Sequence, residues 1–225
     1  MRFRDRVHAG QLLAERLSGY RGRDDVLVLA LPRGGVPVGI EVAKAIVAPL
    51  DVVVIRKLGL PGQEELAMGA IAWGGVKVVN QDVVRALDIP SHVVDAVASA
   101  EKEELARREK LYRGDLPFPP VQGRSVIVVD DGVATGSTML AAVSAVRHMV
   151  PARVIVAVPV APPSTLRKLE EAADEVACIL TPEPFFAVGQ WYEDFSQVTD
   201  EEVRQALHAS RRDREARMAE APVPP

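Results

Sequence analysis

Short apolar runs alternate along most of the chain with segments of helical periodicity. The almost entirely apolar runs, each bounded by turn or helix signals, are 25–31, 50–55, 125–130, 153–160 and 175–180. Strands of a parallel sheet read as continuous apolar runs, because helices cover both faces of the sheet. The alternation therefore predicts an α/β fold, a doubly wound parallel sheet with helices between successive strands.

Two parts of the chain fall outside this alternation. The region 76–122 lies between the second and third predicted strands and contains Ser91–Arg113, which reads as one long, charged helix. Acid–base pairs four residues apart, such as Glu103 with Arg107, are typical of a solvated helical face. We therefore expect 76–122 to be a helical insertion. The other part is 181–197, which contains half of the aromatic residues of the chain.

Length and composition fit one domain followed by a short tail. The chain has 225 residues, of which 48% are hydrophobic, so it can bury a sizeable core. We expect this single domain to cover residues 1–210. The segment 211–225 is charged and then proline-rich, and we expect it to be disordered.

Charge and cysteine content exclude several classes of function. A net charge of −4 argues against nucleic acid as a partner, since nucleic-acid binding needs a basic surface. One cysteine cannot build a disulfide framework or a cysteine metal cage. The N-terminus is charged where a secretory signal would be apolar, and no apolar run is long enough to span a membrane. We expect a cytoplasmic protein with no membrane partner.

The segment 126–138 carries the clearest chemical signal. Apolar residues end a strand, the adjacent carboxylates of Asp130 and Asp131 follow, and a turn rich in Gly, Thr and Ser leads into a helix. Open α/β sheets bind ligands at the carboxyl ends of their strands. Free N–H groups at a helix start, with hydroxyls beside them, can hold a phosphate. Because the two carboxylates suit sugar hydroxyls or a divalent cation, the segment predicts a sugar phosphate as ligand.

This segment resembles the thirteen-residue signature of type I phosphoribosyltransferases, which bind 5-phosphoribosyl-1-pyrophosphate (PRPP). Gly132 departs slightly from the signature, in which an aliphatic residue is more common. The loop 31–35, with the sequence Leu-Pro-Arg-Gly-Gly, resembles the pyrophosphate loop of the family. That loop often contains a cis peptide, which would join Pro32 to Arg33 here. The chain looks closest to short bacterial phosphoribosyltransferases that carry a helical insertion.

A third segment extends the resemblance. Arg56 and Lys57 end the second predicted strand, and they look like the basic pair that begins the mobile catalytic loop of some of these enzymes. The following residues, 59–65, have the glycine and proline content of a lid. The aromatic-rich region corresponds to the small hood of the family fold, with bounds of 181–198.

The resemblance implies transfer of 5-phosphoribose from PRPP to a nitrogen nucleophile, with a nucleobase as the expected acceptor and pyrophosphate as the leaving group. It places the protein in nucleotide metabolism, makes Mg²⁺ the cofactor, held by Asp130 and Asp131 through water, and implies a homodimer. The implied catalytic residues are Arg33, Arg56, Lys57, Asp130 and Asp131. The implied substrate-binding residues are Gly34, Gly35, Asp130, Asp131, Val133, Ala134, Thr135, Gly136, Ser137, Thr138, Phe186 and Tyr192.

The acceptor stays open. Enzymes of the family that act on 6-oxopurines often have an Asp at the position of Ala134 and a Lys after the fourth strand, where this chain has Pro159, Val160 and Ala161. Both differences argue against a hypoxanthine-guanine enzyme. An aromatic face in the hood could stack on a base, although packing of the hood against the core explains the aromatic residues equally well.

Two other functions are compatible with the same residues. A non-catalytic protein of this fold could sense PRPP or a nucleotide, since a fold does not determine function; the basic pair and the lid-like segment favour the enzyme. A different sugar-phosphate or nucleotide enzyme is the third hypothesis, and it is weakened because 132–138 lacks the Gly-Lys-Thr ending of a Walker A loop.

Overall fold

The computed structural model describes residues 1–220, with the side chains of all of these except 64, 65 and 214–220. The helices are α1 Arg6–Arg16, α2 Gly35–Ile46, α3 Gln81–Ala86, α4 Ser91–Arg113, α5 Ser137–Arg147, α6 Pro163–Ala172 and α7 Asp200–Glu220. The strands are β1 Val26–Ala30, β2 Leu50–Val52, β3 Ile55–Leu60, β4 Gln63–Ala72, β5 Val76–Val79, β6 Ser125–Val129, β7 Arg153–Val160 and β8 Glu175–Leu180. None of the helices within 1–220 combines the length and the apolar character needed to cross a membrane.

The central sheet confirms the predicted fold class. Its five strands are all parallel and follow the order β2-β1-β6-β7-β8. Side chains of β1 alternate between two cores: Val28 packs with α1, α2 and α7 on one face, and Leu29 packs with α5 and α6 on the other. Burial of such side chains on both faces contributes about 1.5–3 kcal/mol for each large one, which explains why the sequence shows continuous apolar runs.

The second predicted strand, 50–55, is divided in the structure. β2 ends at Val52, because its partner β1 ends at Ala30 and the chain then turns at Pro32. The expected lid, 59–65, is largely a β-hairpin rather than a loop. β3 and β4 pair antiparallel around a turn at 61–62, and β5 joins them to form a separate three-stranded sheet.

The region 76–122 begins with a strand, so only its later part is helical. β5 is the third strand of the antiparallel sheet, and α3 and α4 follow it. The C-terminal end of α4 is fastened to the central sheet, where the buried Arg113 Nε lies 3.1 Å from Asp51 Oδ1. Arg211 Nη2 of α7 lies 3.1 Å from the other oxygen of the same carboxylate. The domain boundary was predicted at 210 and a disordered tail at 211–225. α7 continues past this boundary to Glu220, and 221–225 lies outside the described residues.

Candidate functional site

The two aspartates of the signature follow directly after β6, at the carboxyl end of the sheet. The turn behind them is anchored to the end of β7, since the Val133 N–H donates to Val160 O at 2.9 Å. Gly132 has a φ of 155°, and a Cβ there would lie 2.5 Å from a methyl group of Val188. Backbone conformation and contact with the hood therefore explain why glycine replaces the more common aliphatic residue.

A row of unengaged backbone donors lies where the phosphate was predicted. Within residues 1–220, the N–H groups of 134–138 have no hydrogen-bond acceptor, and 137–138 begin α5, where a helix leaves such donors free. The αL conformation of Gly136, with φ 84°, turns the chain into the helix. Thr165 of α6 supports the turn, because its Oγ1 donates to Ala134 O at 2.6 Å. This arrangement can bind a phosphate through the helix N-terminus.

The pyrophosphate-like loop lies directly against the aspartates. A Cβ on Gly34 would be 2.0 Å from Asp131 Oδ2, and one on Gly35 would be 2.6 Å from Val129 O and 3.2 Å from Asp130 Oδ1. The Pro32–Arg33 peptide is cis, which confirms that prediction. The Arg33 guanidinium is partly buried and has no hydrogen bond or ion pair with any described residue. The loop therefore brings its backbone against the paired carboxylates and carries a cation that has no ion-pair partner among the described residues.

Asp130 and Asp131 form an electrostatically strained pair. Burial and the neighbouring Asp131 carboxylate raise the pKa of Asp130 well above its usual range. Burial also raises the pKa of Asp131, and the hydrogen bond and charge of Arg6 partly offset this rise. A cation bound beside the two carboxylates would stabilise their ionised forms.

A magnesium ion fits this donor set. The described residues contain no cluster of three or more metal-ligating side chains, so a cage built from protein alone is absent there. Mg²⁺ is ordinarily held by one or two carboxylates together with water and phosphate oxygens. Two adjacent carboxylates beside a phosphate cradle provide the protein's share of such a site.

Two residues at the site had no signal in the sequence. Arg6 Nε of α1 donates to Asp131 Oδ2 at 2.8 Å, although the two residues are 125 positions apart. Thr165, the other, is 31 positions from the carbonyl group that it supports. Local patterns carry no information about such pairs, since only the packing of α1 and α6 on the sheet brings them together.

The basic pair does not join the aspartates. Both residues lie on β3, where the Arg56 Nε donates to Glu101 Oε2 of α4 at 2.6 Å and Lys57 is exposed. Neither has a hydrogen bond or ion pair with the loop 33–35 or with 130–138 in the described part of the chain. The antiparallel sheet nevertheless packs beside α5, the helix that begins at the phosphate cradle.

The two aromatic residues chosen for base stacking differ in accessibility. Tyr192 is 1% exposed, its ring lies between Phe3 and Phe195, and its hydroxyl donates to Asp131 O at 2.5 Å. Tyr192 therefore offers no free ring face to a base, which corrects that expectation. Its ring packs inward because this is how its hydroxyl reaches the carbonyl oxygen of Asp131. Phe186 is 75% exposed and keeps a free face.

Comparison with known proteins identifies the family. The model of the phosphoribosyl transferase domain matches residues 6–194. Proteins from two strains of Mycobacterium tuberculosis, CDC 1551 / Oshkosh and H37Rv, provisionally named phosphoribosyl transferases, are 47% identical over 211 residues, or 94% of this chain. The chain spans about half the length of these curated relatives, 47% of each. The crystal structure of TT1426 from Thermus thermophilus is 45% identical and matches with a TM-score of 0.84, over 92% of this chain and 98% of that one. The chain therefore belongs to the phosphoribosyl transferase domain family.

Proposed function

We propose that the protein transfers 5-phosphoribose from PRPP to a nitrogen nucleophile and releases pyrophosphate. One observation carries the proposal: the free N–H groups of 134–138, the carboxylates of Asp130 and Asp131, and the loop 33–35 lie together at one end of the sheet. This combination matches the three chemical parts of PRPP, namely a phosphate, ribose hydroxyls and a pyrophosphate.

Each part of the donor has a group to hold it. The backbone N–H groups of 134–138, with the hydroxyls of Thr135, Ser137 and Thr138, bind the 5-phosphate. Asp130 and Asp131 accept hydrogen bonds from the ribose hydroxyls. Gly34 and Gly35 allow the backbone to approach the pyrophosphate closely, and Arg33 donates to its oxygens.

The reaction breaks the bond between ribose C1 and the pyrophosphate oxygen and forms a bond between C1 and the acceptor nitrogen. The bonding electron pair leaves with pyrophosphate, so positive charge develops on the ribose and negative charge on the leaving group. Asp130 and Asp131 face the first charge, and Arg33 faces the second. Asp130 and Asp131 would hold a magnesium ion through water, and such an ion would supply positive charge to offset that of the leaving pyrophosphate.

The hairpin supplies a second source of positive charge. Arg56 and Lys57 stabilise the departing pyrophosphate when β3 and β4 cover the site. In the structure Arg56 is held by Glu101, so this role requires the guanidinium to exchange one anionic partner for another.

A nucleobase is the acceptor that we propose, with Phe186 as its stacking partner in the hood. The protein acts in this proposal as a cytoplasmic homodimer, a state that light scattering coupled to size-exclusion chromatography would measure.

The test is release of pyrophosphate from PRPP with Mg²⁺ and a panel of purine, pyrimidine and other nitrogen bases. The double variant Asp130→Asn/Asp131→Asn should reduce release below detection while the protein keeps its fold by circular dichroism. The matched control is Asp24→Asn/Asp25→Asn, another pair of adjacent aspartates that precedes a strand at the surface, and it should retain activity.

One observation favours a second function, a PRPP or nucleotide sensor. The ion pair between Arg56 and Glu101 withholds a basic side chain from the site. A sensor needs the phosphate cradle but not the help of this cation. Tight binding of PRPP with no pyrophosphate release for any base in the panel would select the sensor, whereas absence of PRPP binding would exclude both the transferase and a PRPP sensor.

A further inference from the structure

We propose that Arg6 is a positioning residue, which holds the Asp131 carboxylate in the orientation that receives the ribose and couples it to the hood. The inference rests on the proposed function, because it assigns a role in binding the ribose of PRPP. Arg6 lies at the start of α1, far from the signature in sequence, and the resemblance to the family places no role there.

Arg6 joins three parts of the molecule through one guanidinium. Its Nε donates to Asp131 Oδ2 at 2.8 Å, and its Nη1 donates to Ser196 O at 2.7 Å. The guanidinium carbon lies 4.0 Å from the centre of the Phe195 ring, within the range of a cation–π contact. Because only 11% of the Arg6 side chain and 13% of the Asp131 side chain are exposed, water screens this ion pair weakly.

The pair determines which carboxylate oxygen is available. Asp131 Oδ2 is occupied by Arg6 and faces the backbone at Gly34, where no side chain would fit. Asp131 Oδ1 accepts no hydrogen bond from any other residue that the structure describes, and it is left for a ribose hydroxyl. Rotation of the carboxylate would break the hydrogen bond with Arg6, so the orientation is set before the donor arrives.

The N-terminal segment fixes Arg6 against the hood. The Phe3 N–H donates to Trp191 O, and Phe3 O accepts from the Glu193 N–H, both at 2.8 Å. Tyr192 completes the link, since its hydroxyl donates to the carbonyl oxygen of Asp131 at 2.5 Å. Movement of the hood therefore reaches Asp131 by two routes. Arg6 contacts its carboxylate, and Tyr192 contacts its backbone carbonyl group.

Arg2 provides a matched control. Its Nη2 donates to Tyr192 O at 2.5 Å, so Arg2 anchors the same hood from the same N-terminal segment without a hydrogen bond to Asp131. A variant of Arg2 removes an anchor of the hood alone. A variant of Arg6 removes an anchor of the hood together with the partner of the aspartate.

The experiment measures binding of PRPP with Mg²⁺, and separately of inorganic pyrophosphate with Mg²⁺, by isothermal titration calorimetry. For Arg6→Met we expect the Kd of PRPP to rise about tenfold to a hundredfold, as for loss of a hydrogen bond to a charged group. The Kd of pyrophosphate, which has no ribose, should change less than about twofold. Arg6→Lys keeps the charge without the planar fork and should lie between wild type and Arg6→Met. Arg2→Met should bind both ligands like wild type.

Several outcomes overturn the inference. Equal losses of PRPP and pyrophosphate binding in Arg6→Met, or equal effects of Arg6→Met and Arg2→Met, would make Arg6 a structural anchor only. Tighter PRPP binding by Arg6→Met would mean that Arg6 competes with the ribose. If Arg6→Met does not fold, wild-type affinity of Arg6→Lys for PRPP also overturns it. Failure of the wild-type protein itself to bind PRPP is a different result, which removes the proposed function and this inference together.

Discussion

Gly34 is the single residue at which a side chain would disturb the site most. A Cβ there would lie 2.0 Å from Asp131 Oδ2, far inside van der Waals contact, so the carboxylate would have to move. We expect Gly34→Ala to raise the Kd of PRPP about tenfold or more, because at least one charge-assisted hydrogen bond is displaced. Titration calorimetry checks this. The control is Gly19→Ala, where a Cβ meets nothing within 4 Å; equal affinities of the two variants would contradict the close packing of loop and aspartate.

The residue types in the sequence indicate the chemistry of the site, but they do not indicate which distant residues contact the site residues. Asp130, Asp131 and the turn at 134–138 were found from a local motif, because strand, turn and helix start are neighbours in the chain. The position of Tyr192 in an aromatic-rich segment predicts that it stacks on a base, but the structure buries its side chain. Whether an aromatic ring faces solvent or the core depends on what packs against it, here Phe3 from the other end of the chain.

At the scale of elements, an ion pair links α4 to the hairpin that it packs against. The Arg56 guanidinium is 2.6 Å from Glu101 Oε2, and both side chains are about one quarter to one third exposed, at 30% and 26%. Pairs of this exposure contribute about 0–1 kcal/mol. We expect Glu101→Gln to free Arg56 for the anion and to lower the Kd of pyrophosphate about twofold to fivefold, measured by calorimetry with Mg²⁺.

The control for this prediction lies on the same helix. Glu103 is exposed and forms no ion pair within the described residues, so Glu103→Gln should leave pyrophosphate binding unchanged. Weaker pyrophosphate binding by Glu101→Gln would show instead that α4 holds Arg56 in place for the anion, and the direction of the effect separates the two cases.

At the scale of the whole molecule, the carboxylate of Asp51 connects the central sheet, α4 and α7. It contacts Arg113 and Arg211 at 3.1 Å each, and the side chains of Asp51 and Arg113 are only 8% and 3% exposed. Removing its charge takes from Arg113 and Arg211 the carboxylate that they share. We expect Asp51→Asn to lower the free energy of unfolding by about 3–5 kcal/mol, the range for breaking a buried pair, measured by urea denaturation.

A surface ion pair is the comparison for this prediction. Lys77 and Asp95 are paired with side chains 37% and 62% exposed, and Asp95→Asn should cost no more than about 1 kcal/mol. Similar losses of stability for the two variants would mean that the Asp51 pair is no stronger than a surface contact. The pairing of Asp51 with Arg211 also places part of 211–220 against the domain, a contact that the charged composition of this segment did not indicate.

The sequence by itself determined the central strands, the signature turn and the chemical class of ligand that the turn suits. Those features depend on periodicity and on residues that are adjacent in the chain. A strand of a parallel sheet is buried on both faces, so its sequence is a continuous apolar run. Only the tertiary structure decided that 55–72 leaves the central sheet to form a hairpin, that Arg56 pairs with Glu101, and that Arg6 holds Asp131. These outcomes depend on contacts between side chains that are far apart in the sequence, and only the packing of the folded chain brings such side chains together.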